Sequence, residues 1–265
     1  MKETREKYRN KKRFTPMRIA VLTVAVLLFF FSSAVIVKSL FFSGGIDRER
    51  YKKDKPENSE STQKVELIDN PIDFDSLADV NGDIYAWITI PDTKVDYPIL
   101  QSTTDSDDYY LNHTFERRYS SAGSIYTQKI NSKDFSDPNT LIYGHNMKNG
   151  SMFNNLHKFR DQGFFDENEY IYIYTRGHKL TYRIFAAYEY DDRHIMYSFD
   201  FSDEQVRADY FDSCLRPKSM TACVRQGVAL GLDDKIITLS TCVPNGNSKQ
   251  RYLVQGVLLS DQPTK

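Results

Sequence analysis

A thiol and an imidazole, carried by Cys242 and His145, are the residues of this sequence best suited to covalent chemistry. A cysteine attacks as its thiolate, so it needs a base or a nearby cation to lower its pKa from about 8.5, and a histidine serves both purposes. By position alone Cys242 is either a core residue or an exposed nucleophile. A histidine at another strand end would favour the nucleophile.

His145 meets that condition. The segment "NTLIYGHNMKNGSMF" runs from an apolar strand through Tyr143 and Gly144 into His145, and a polar loop follows. Loops at strand ends are where catalytic side chains are usually displayed. The other histidines are interpreted as surface or structural residues: His113, His157, His178 and His194.

Two β-type runs, in "KIITLSTCVPNGNSKQRYLVQGVLL" from Lys235 to Leu259, must position Cys242. A loop rich in Pro, Gly and Asn separates them, which is typical of a turn. If the runs pair as an antiparallel hairpin, Cys242 ends one strand and Arg251 begins the next. The guanidinium then lies beside the thiol at one end of the sheet.

Cys214 and Cys223 are interpreted as structural residues. Cys214 lies on a predicted helix and Cys223 follows it, so both suit either buried hydrophobic positions or a local disulfide. The three cysteines form no C-x-x-C pair, and the histidines are scattered, which argues against a zinc cage. No metal or cofactor is expected.

Composition and length restrict the class of protein. The 265 residues are 40% hydrophobic and 14% aromatic, enough for a real core, and the net charge of -1 gives no indication of nucleic-acid binding. We expect a basic cytoplasmic tail (1–16), a transmembrane anchor (17–38), a polar linker (39–70) and an extracytoplasmic catalytic domain (71–265).

The anchor prediction rests on an uncharged apolar run, "IAVLTVAVLLFFFSSAVIV", preceded by eight Lys or Arg against two Glu. About 20 apolar residues suffice to cross a bilayer as a helix. A cleavable signal peptide is the alternative, but its apolar core is usually about 7 to 15 residues. The basic tail predicts a single-pass protein of the cell membrane with a cytoplasmic N-terminus.

The catalytic domain is predicted to be mainly β. Short runs rich in Ile, Val, Tyr and Thr read as strands: "IYAWITIP", "VDYPILQ", "GSIYTQKI", "NTLIYGH", "EYIYIYT", "KLTYRIFAAYEY", "GVALGL", "DKIITLSTC" and "RYLVQGVLL". Helices are predicted in "PIDFDSLADVNGD" and in 201–215, the latter with a cap-like Ser202 and Gln205. The pattern suggests a closed barrel or a sandwich with helices outside.

Three motifs in order resemble the sortases: "IYGHNMKNGSMF", "TLSTC" and an arginine nine residues after the cysteine. The His-Asn-Met version is similar to class B, and the resemblance covers about 71–259. It implies a closed eight-stranded β-barrel with peripheral helices, preceded in the whole chain by the transmembrane helix. It also implies that His145, Cys242 and Arg251 are catalytic, and that Ser240 and Thr241 bind substrate.

The implied reaction is cysteine transpeptidation. Cys242 attacks a threonine carbonyl in the C-terminal sorting pentapeptide of a secreted surface protein, and an amine of a Gram-positive cell wall, on a peptidoglycan precursor or stem peptide, resolves the thioester. His145 acts as general acid and Arg251 as a hydrogen-bond donor to substrate or oxyanion. Strand alternation places Ser240 on the same side as Cys242, where its hydroxyl contacts either substrate or solvent.

Two departures from the family pattern leave the pentapeptide open. Val243 follows the cysteine where some class B members have an acidic residue, and "DSDD" precedes Tyr109 where an asparagine is common. Both NPQTN-like and S/P-P-x-T-G-like signals stay possible. The alternatives are a cysteine protease with water as acceptor, and an inactive sortase-like binding module.

Overall fold

The computed structural model describes residues 67–244 and 247–265. The predicted tail, anchor and most of the linker lie outside these residues. Within the described ranges, no helix has both the length and the apolar character of a membrane span.

Nine strands and four α-helices make up the described chain. The strands are β1 Ile84–Thr89, β2 Asp96–Leu100, β3 Ile125–Tyr126, β4 Asn139–Tyr143, β5 Tyr170–Thr175, β6 His178–Asp191, β7 Cys223–Val224, β8 Ile236–Cys242 and β9 Gln250–Pro263. The α-helices are α1 Phe74–Val80, α2 Gln162–Glu167, α3 Ile195–Ser198 and α4 Glu204–Leu215. Two 3-10 helices lie at Tyr109–Leu111 and Phe153–Arg160.

The sheet closes on itself. Its strand order is β5-β1-β2-β3-β4-β8-β9-β6-β7, and β5 also pairs with β6, so eight strands form a closed barrel and short β7 extends from β6. Closure removes the unpaired edges that would otherwise invite aggregation. The mainly β, closed eight-stranded barrel is confirmed, and the sandwich alternative is excluded.

Alternation along β8 separates two surfaces. Ile237, Leu239 and Val243 belong to the main apolar core, whereas Ser240 and Cys242 occupy the opposite face. That outer face is covered in part by a second cluster, in which Leu141 and Leu253 pack with residues of α4. The catalytic candidates therefore lie where this outer face reaches the end of the barrel.

Two local predictions were wrong. The run "GVALGL" is a loop: Gly227 has a left-handed φ of 76°, and Asp234 accepts a hydrogen bond from the Gly231 amide, so the chain turns instead of extending. The short strand of this region is β7. The helix predicted at 201–215 is α4. It is capped by Asp203, whose carboxylate accepts hydrogen bonds from the amides of Gln205 and Val206, and not by Ser202.

Candidate active site

The β8–β9 hairpin places Cys242 opposite Arg251. These two residues are direct partners in the antiparallel register, so their side chains share one face. Cys242 is exposed, whereas the other two thiols, Cys214 and Cys223, are buried, and all three are free. The predicted juxtaposition is present, and only Cys242 offers its sulfur to solvent.

His145 reaches the same end of the barrel through a parallel pairing. Strand β4 runs parallel to β8 with Tyr143 opposite Ser240, and the Gly144 amide donates to the Ser240 carbonyl at 3.1 Å. His145 lies two residues past Tyr143, as Cys242 lies two residues past Ser240. Because parallel strands advance together, the imidazole and the thiol emerge from neighbouring strand ends.

A backbone carbonyl orients the imidazole. His145 Nε2 lies 2.7 Å from the carbonyl oxygen of Leu111, at the end of the first 3-10 helix. A carbonyl accepts only, so Nε2 carries the proton in neutral His145 and Nδ1 keeps its lone pair. Nδ1 is thereby the nitrogen available to take a proton from a thiol or to return one to an amine.

Arg251 is anchored at one nitrogen. Its Nη1 donates to the carbonyls of Ser248 at 2.8 Å and Gln250 at 3.0 Å. Within the described ranges, Nε and Nη2 make no hydrogen bond. A guanidinium held at one end, with two donor nitrogens left, suits recognition of a carbonyl or an oxyanion.

A cleft of about 170 Å³ lies beside Arg251 on the outer face of β8. Ser240 and Leu253 form its floor, and the segment that follows β6 contributes Asp192 and His194. The cleft is two residues along β8 from Cys242, roughly 6.6 Å at strand spacing.

Aromatic and amide groups build one wall of this cleft. The rings of Tyr126 and Tyr143 stack with centroids 5.4 Å apart, and the Tyr143 hydroxyl lies 3.2 Å from His194 Nε2. That nitrogen also contacts Gln128 Oε1. Burial raises the pKa of Tyr143 well above its usual range, so its phenol stays protonated. The wall is uncharged and polar.

Ser240 and Thr241 occupy different surroundings. Ser240 shares the face of Cys242 and lines the cleft. The side chain of Thr241 points the other way, and the residue is only 2% exposed. Its substrate-binding role stays a prediction.

Asn146 does not order the catalytic imidazole. Its Nδ2 donates to the Cys242 carbonyl at 3.0 Å, and its Oδ1 accepts from Asn154 at 2.7 Å. Many cysteine proteases orient the catalytic histidine with an Asn or Asp side chain. Here Leu111 orients it through a backbone carbonyl instead, and the Asn146 amide is committed to the nucleophile's main chain.

His157, which the sequence suggests is a surface or structural residue, also reaches this end of the barrel. Its Nε2 lies 3.0 Å from the Cys242 carbonyl, a contact that the sequence analysis did not predict. One signal was available: in "SMFNNLHKF" the spacing of Phe153, Leu156 and Phe159 is helical, and the 3-10 helix there turns His157 towards the site. Within the described ranges, no group of three or more His, Cys, Asp or Glu is arranged to hold a metal ion.

Comparisons with known proteins agree with this geometry. The family model described as "Sortase domain" matches residues 88–259. Sortase B of Listeria monocytogenes is 37% identical over 186 residues, which are 69% of this chain and 73% of that protein.

Solved structures show the same likeness. Clostridium perfringens sortase B has a TM-score of 0.64 at 30% identity, covering 71% of this chain and 100% of that chain. The Staphylococcus aureus sortase B-substrate complex has a TM-score of 0.62 at 29% identity, covering 71% and 84%. Since the family model spans more than half of the chain and curated relatives share its class, this chain belongs to the sortase family as a class B sortase, a cysteine transpeptidase.

Proposed function

We propose that this sortase cleaves the C-terminal sorting signal of secreted surface proteins after a threonine and joins the new carboxyl terminus to a peptidoglycan amine. One observation carries the proposal: the exposed Cys242 is the register partner of Arg251, which lines a neighbouring cleft. The likeness to a sortase B solved in complex with its substrate supports the binding of a sorting-signal peptide.

The first half-reaction forms a thioester. The Cys242 thiolate attacks the threonine carbonyl, and Arg251 donates to the resulting oxyanion through Nε and Nη2. The tetrahedral intermediate collapses when the C–N bond breaks. His145, protonated on both nitrogens, gives the Nδ1 proton to the departing amine. The acyl group remains on sulfur and the C-terminal fragment leaves.

The second half-reaction transfers the acyl group. An amine of a peptidoglycan precursor or stem peptide attacks the thioester carbonyl, and neutral His145 takes the amine proton at Nδ1. Collapse of the second intermediate breaks the C–S bond, releases the Cys242 thiolate and leaves an amide. Water in place of the amine would give hydrolysis, which is the protease alternative.

A peptide-and-amine assay tests the proposal. Full-length protein in detergent is incubated with quenched peptides carrying NPQTN-like or S/P-P-x-T-G-like signals, with and without a stem-peptide amine, and products are identified by mass spectrometry. An amide-linked product supports the transferase. Hydrolysis alone at saturating amine would favour the protease, and no product with an unreactive Cys242 would favour the binding module.

We further propose that residues 17–38 anchor the protein in the cell membrane with the catalytic unit outside. The uncharged run and the basic residues before it support this orientation. Protease added to intact protoplasts should remove the catalytic unit and leave the N-terminal tail protected. Recovery of the catalytic unit in the culture medium, without residues 1–38, would indicate a cleaved signal peptide instead.

A further inference from the structure

The carbonyl oxygen of Cys242 accepts two side-chain hydrogen bonds. Asn146 Nδ2 and His157 Nε2 each lie 3.0 Å from it. Two side chains directed at the main chain of one residue are unusual inside a sheet, where ladder partners normally satisfy backbone groups. We call Asn146 and His157, with this carbonyl, the Cys242 clamp.

The clamp replaces a missing ladder bond. The parallel register of β4 and β8 ends at Tyr143 and Ser240, and the last ladder contact is the Gly144 amide on the Ser240 carbonyl. Carbonyls two residues apart along a strand point to the same side. The Cys242 carbonyl therefore faces the place where β4 has already turned into its loop, and side chains of that loop and of the following 3-10 helix supply the donors.

The His157 side of the clamp is held in one tautomer. Arg160 Nε donates to His157 Nδ1 at 3.3 Å, so the proton of neutral His157 is on Nε2, where it points at Cys242. Arg160 is fixed in turn by Glu189 at 2.7 Å, and its guanidinium lies 4.6 Å from the centre of the Tyr252 ring.

The Asn146 side of the clamp links the two reactive residues. Asn146 follows His145 directly, so its bond to Cys242 ties the loop of the imidazole to the strand of the thiol. Asn154 holds the amide by donating to its Oδ1 at 2.7 Å, which leaves Nδ2 directed at the carbonyl. The loop is closed further by the Phe153 amide, which donates to the His145 carbonyl at 2.9 Å.

We propose that His157 and Asn146 are positioning residues that fix the Cys242–Val243 peptide plane and so aim the thiol at His145 and Arg251. The inference rests on the proposed role of Cys242 as nucleophile. Each acts through the main chain of Cys242. Displacements of about 1 Å in a reacting group can cost up to about 100-fold in rate, so an unclamped strand end should be a slower enzyme.

Matched amide variants test the His157 side. In His157→Gln the amide nitrogen takes the place of Nε2 and can still donate to Cys242, whereas the shorter side chain in His157→Asn cannot reach it. We expect His157→Asn to lose roughly 10- to 100-fold in kcat with KM nearly unchanged, and His157→Gln to stay within about threefold of wild type. Lys158→Met is the control on the same helix, since the Lys158 ammonium donates to the Asp92 carbonyl and lies over the Phe164 ring.

The alkylation rate of Cys242 gives a second measurement that needs no substrate. His157→Asn should slow the alkylation of Cys242 by iodoacetamide, by about the same factor as it lowers kcat. The melting temperatures of the Asn and Gln variants should be similar. Equal kcat and alkylation rates in His157→Asn and wild type would overturn the inference. So would equal losses in the Gln and Asn variants. If the amine assay fails but the alkylation rates still differ, the proposed function fails and the clamp stands.

Discussion

At the scale of single residues, exposure and register select the nucleophile. Three free thiols are present, yet only Cys242 is exposed, and it lies opposite Arg251 in the strand register. Burial raises the pKa of Cys214 and of Cys223, so both stay protonated and shielded. Reactivity follows the thiolate and its accessibility, which separates the exposed Cys242, the proposed nucleophile, from the two buried cysteines.

Alkylation should distinguish the exposed Cys242 from the two buried cysteines. Native protein treated with iodoacetamide at neutral pH should gain one adduct, at Cys242, and denatured protein should gain three. Cys242→Ala should abolish thioester formation, because the other two thiols are buried. Cys214→Ala and Cys223→Ala serve as controls, and loss of acyl-enzyme in either one with the fold intact would move the nucleophile elsewhere. Intact-mass spectrometry measures both quantities.

Arg251→Lys tests the guanidinium. Lysine keeps the charge but loses the forked donors, and an ammonium directed at the Ser248 and Gln250 carbonyls would have no second nitrogen for the oxyanion. We expect kcat to fall about 100-fold, the order seen when an oxyanion donor is removed. The melting temperature should change little because the side chain is only half-buried. Turnover equal to wild type would reduce Arg251 to a loop anchor.

At the scale of secondary structure, the site depends on how β4, β8 and β9 end together. The parallel β4–β8 pair brings His145 to the end of the barrel, and the antiparallel β8–β9 pair brings Arg251. Gly144 lies at the close approach between β4 and the 3-10 helix that carries His157. A Cβ at this position would lie 2.5 Å from Ile125 Cδ1 and 2.7 Å from the ring of Phe153.

Gly144→Ala should therefore harm both stability and rate. Ile125 and Phe153 are almost fully buried, so neither can move aside easily. Overpacking of this kind costs about 1 to 3 kcal/mol, and the strain falls on the residue beside His145. Urea unfolding and peptide cleavage measure the two effects. Gly82→Ala is the matched control, because nothing lies within 4 Å of its added Cβ. Equal free energies of unfolding in the two variants would contradict the packing argument.

At the scale of the whole molecule, a closed barrel carries the candidate site at one end. The ends of the described chain also meet, since Asn70 donates to the Thr175 carbonyl at 2.9 Å and to the Thr264 hydroxyl at 3.1 Å. Because closure joins the strands into one barrel, we expect it to unfold as a unit. Its melting temperature should therefore depend on the buried side chains that titrate near neutral pH.

Acid should weaken the fold through two histidines. Burial lowers the pKa of His157 and of His194 below their ordinary value of about 6.5. The unfolded chain then binds more protons than the folded chain, so stability rises with pH through this window and is lost as pH falls below about 6.5. The melting temperature should drop between pH 7.5 and 5.5, and less steeply in the double variant His157→Gln, His194→Gln. Parallel slopes in the two proteins would contradict this.

Much of the site was predictable from local patterns. The strand ending at Cys242, the turn after Pro244 and the strand from Arg251 follow from alternation and turn residues, which act over a few positions. Family motifs added the roles of His145, Cys242 and Arg251. The same local signals failed at "GVALGL", where two glycines favour a turn, and at Ser202, where the neighbouring Asp203 is the better placed acceptor.

By itself, the sequence determined the class of fold and singled out the three residues proposed to carry the chemistry, because hydrophobic alternation and short motifs depend on near neighbours in the chain. Only the tertiary structure decided that Leu111 orients His145, that Asn146 and His157 hold the Cys242 carbonyl, and that Thr241 faces the core. These contacts join residues 34 to 96 positions apart or depend on which face of a strand is buried. Their partners are chosen by barrel closure and strand register, which no local pattern specifies.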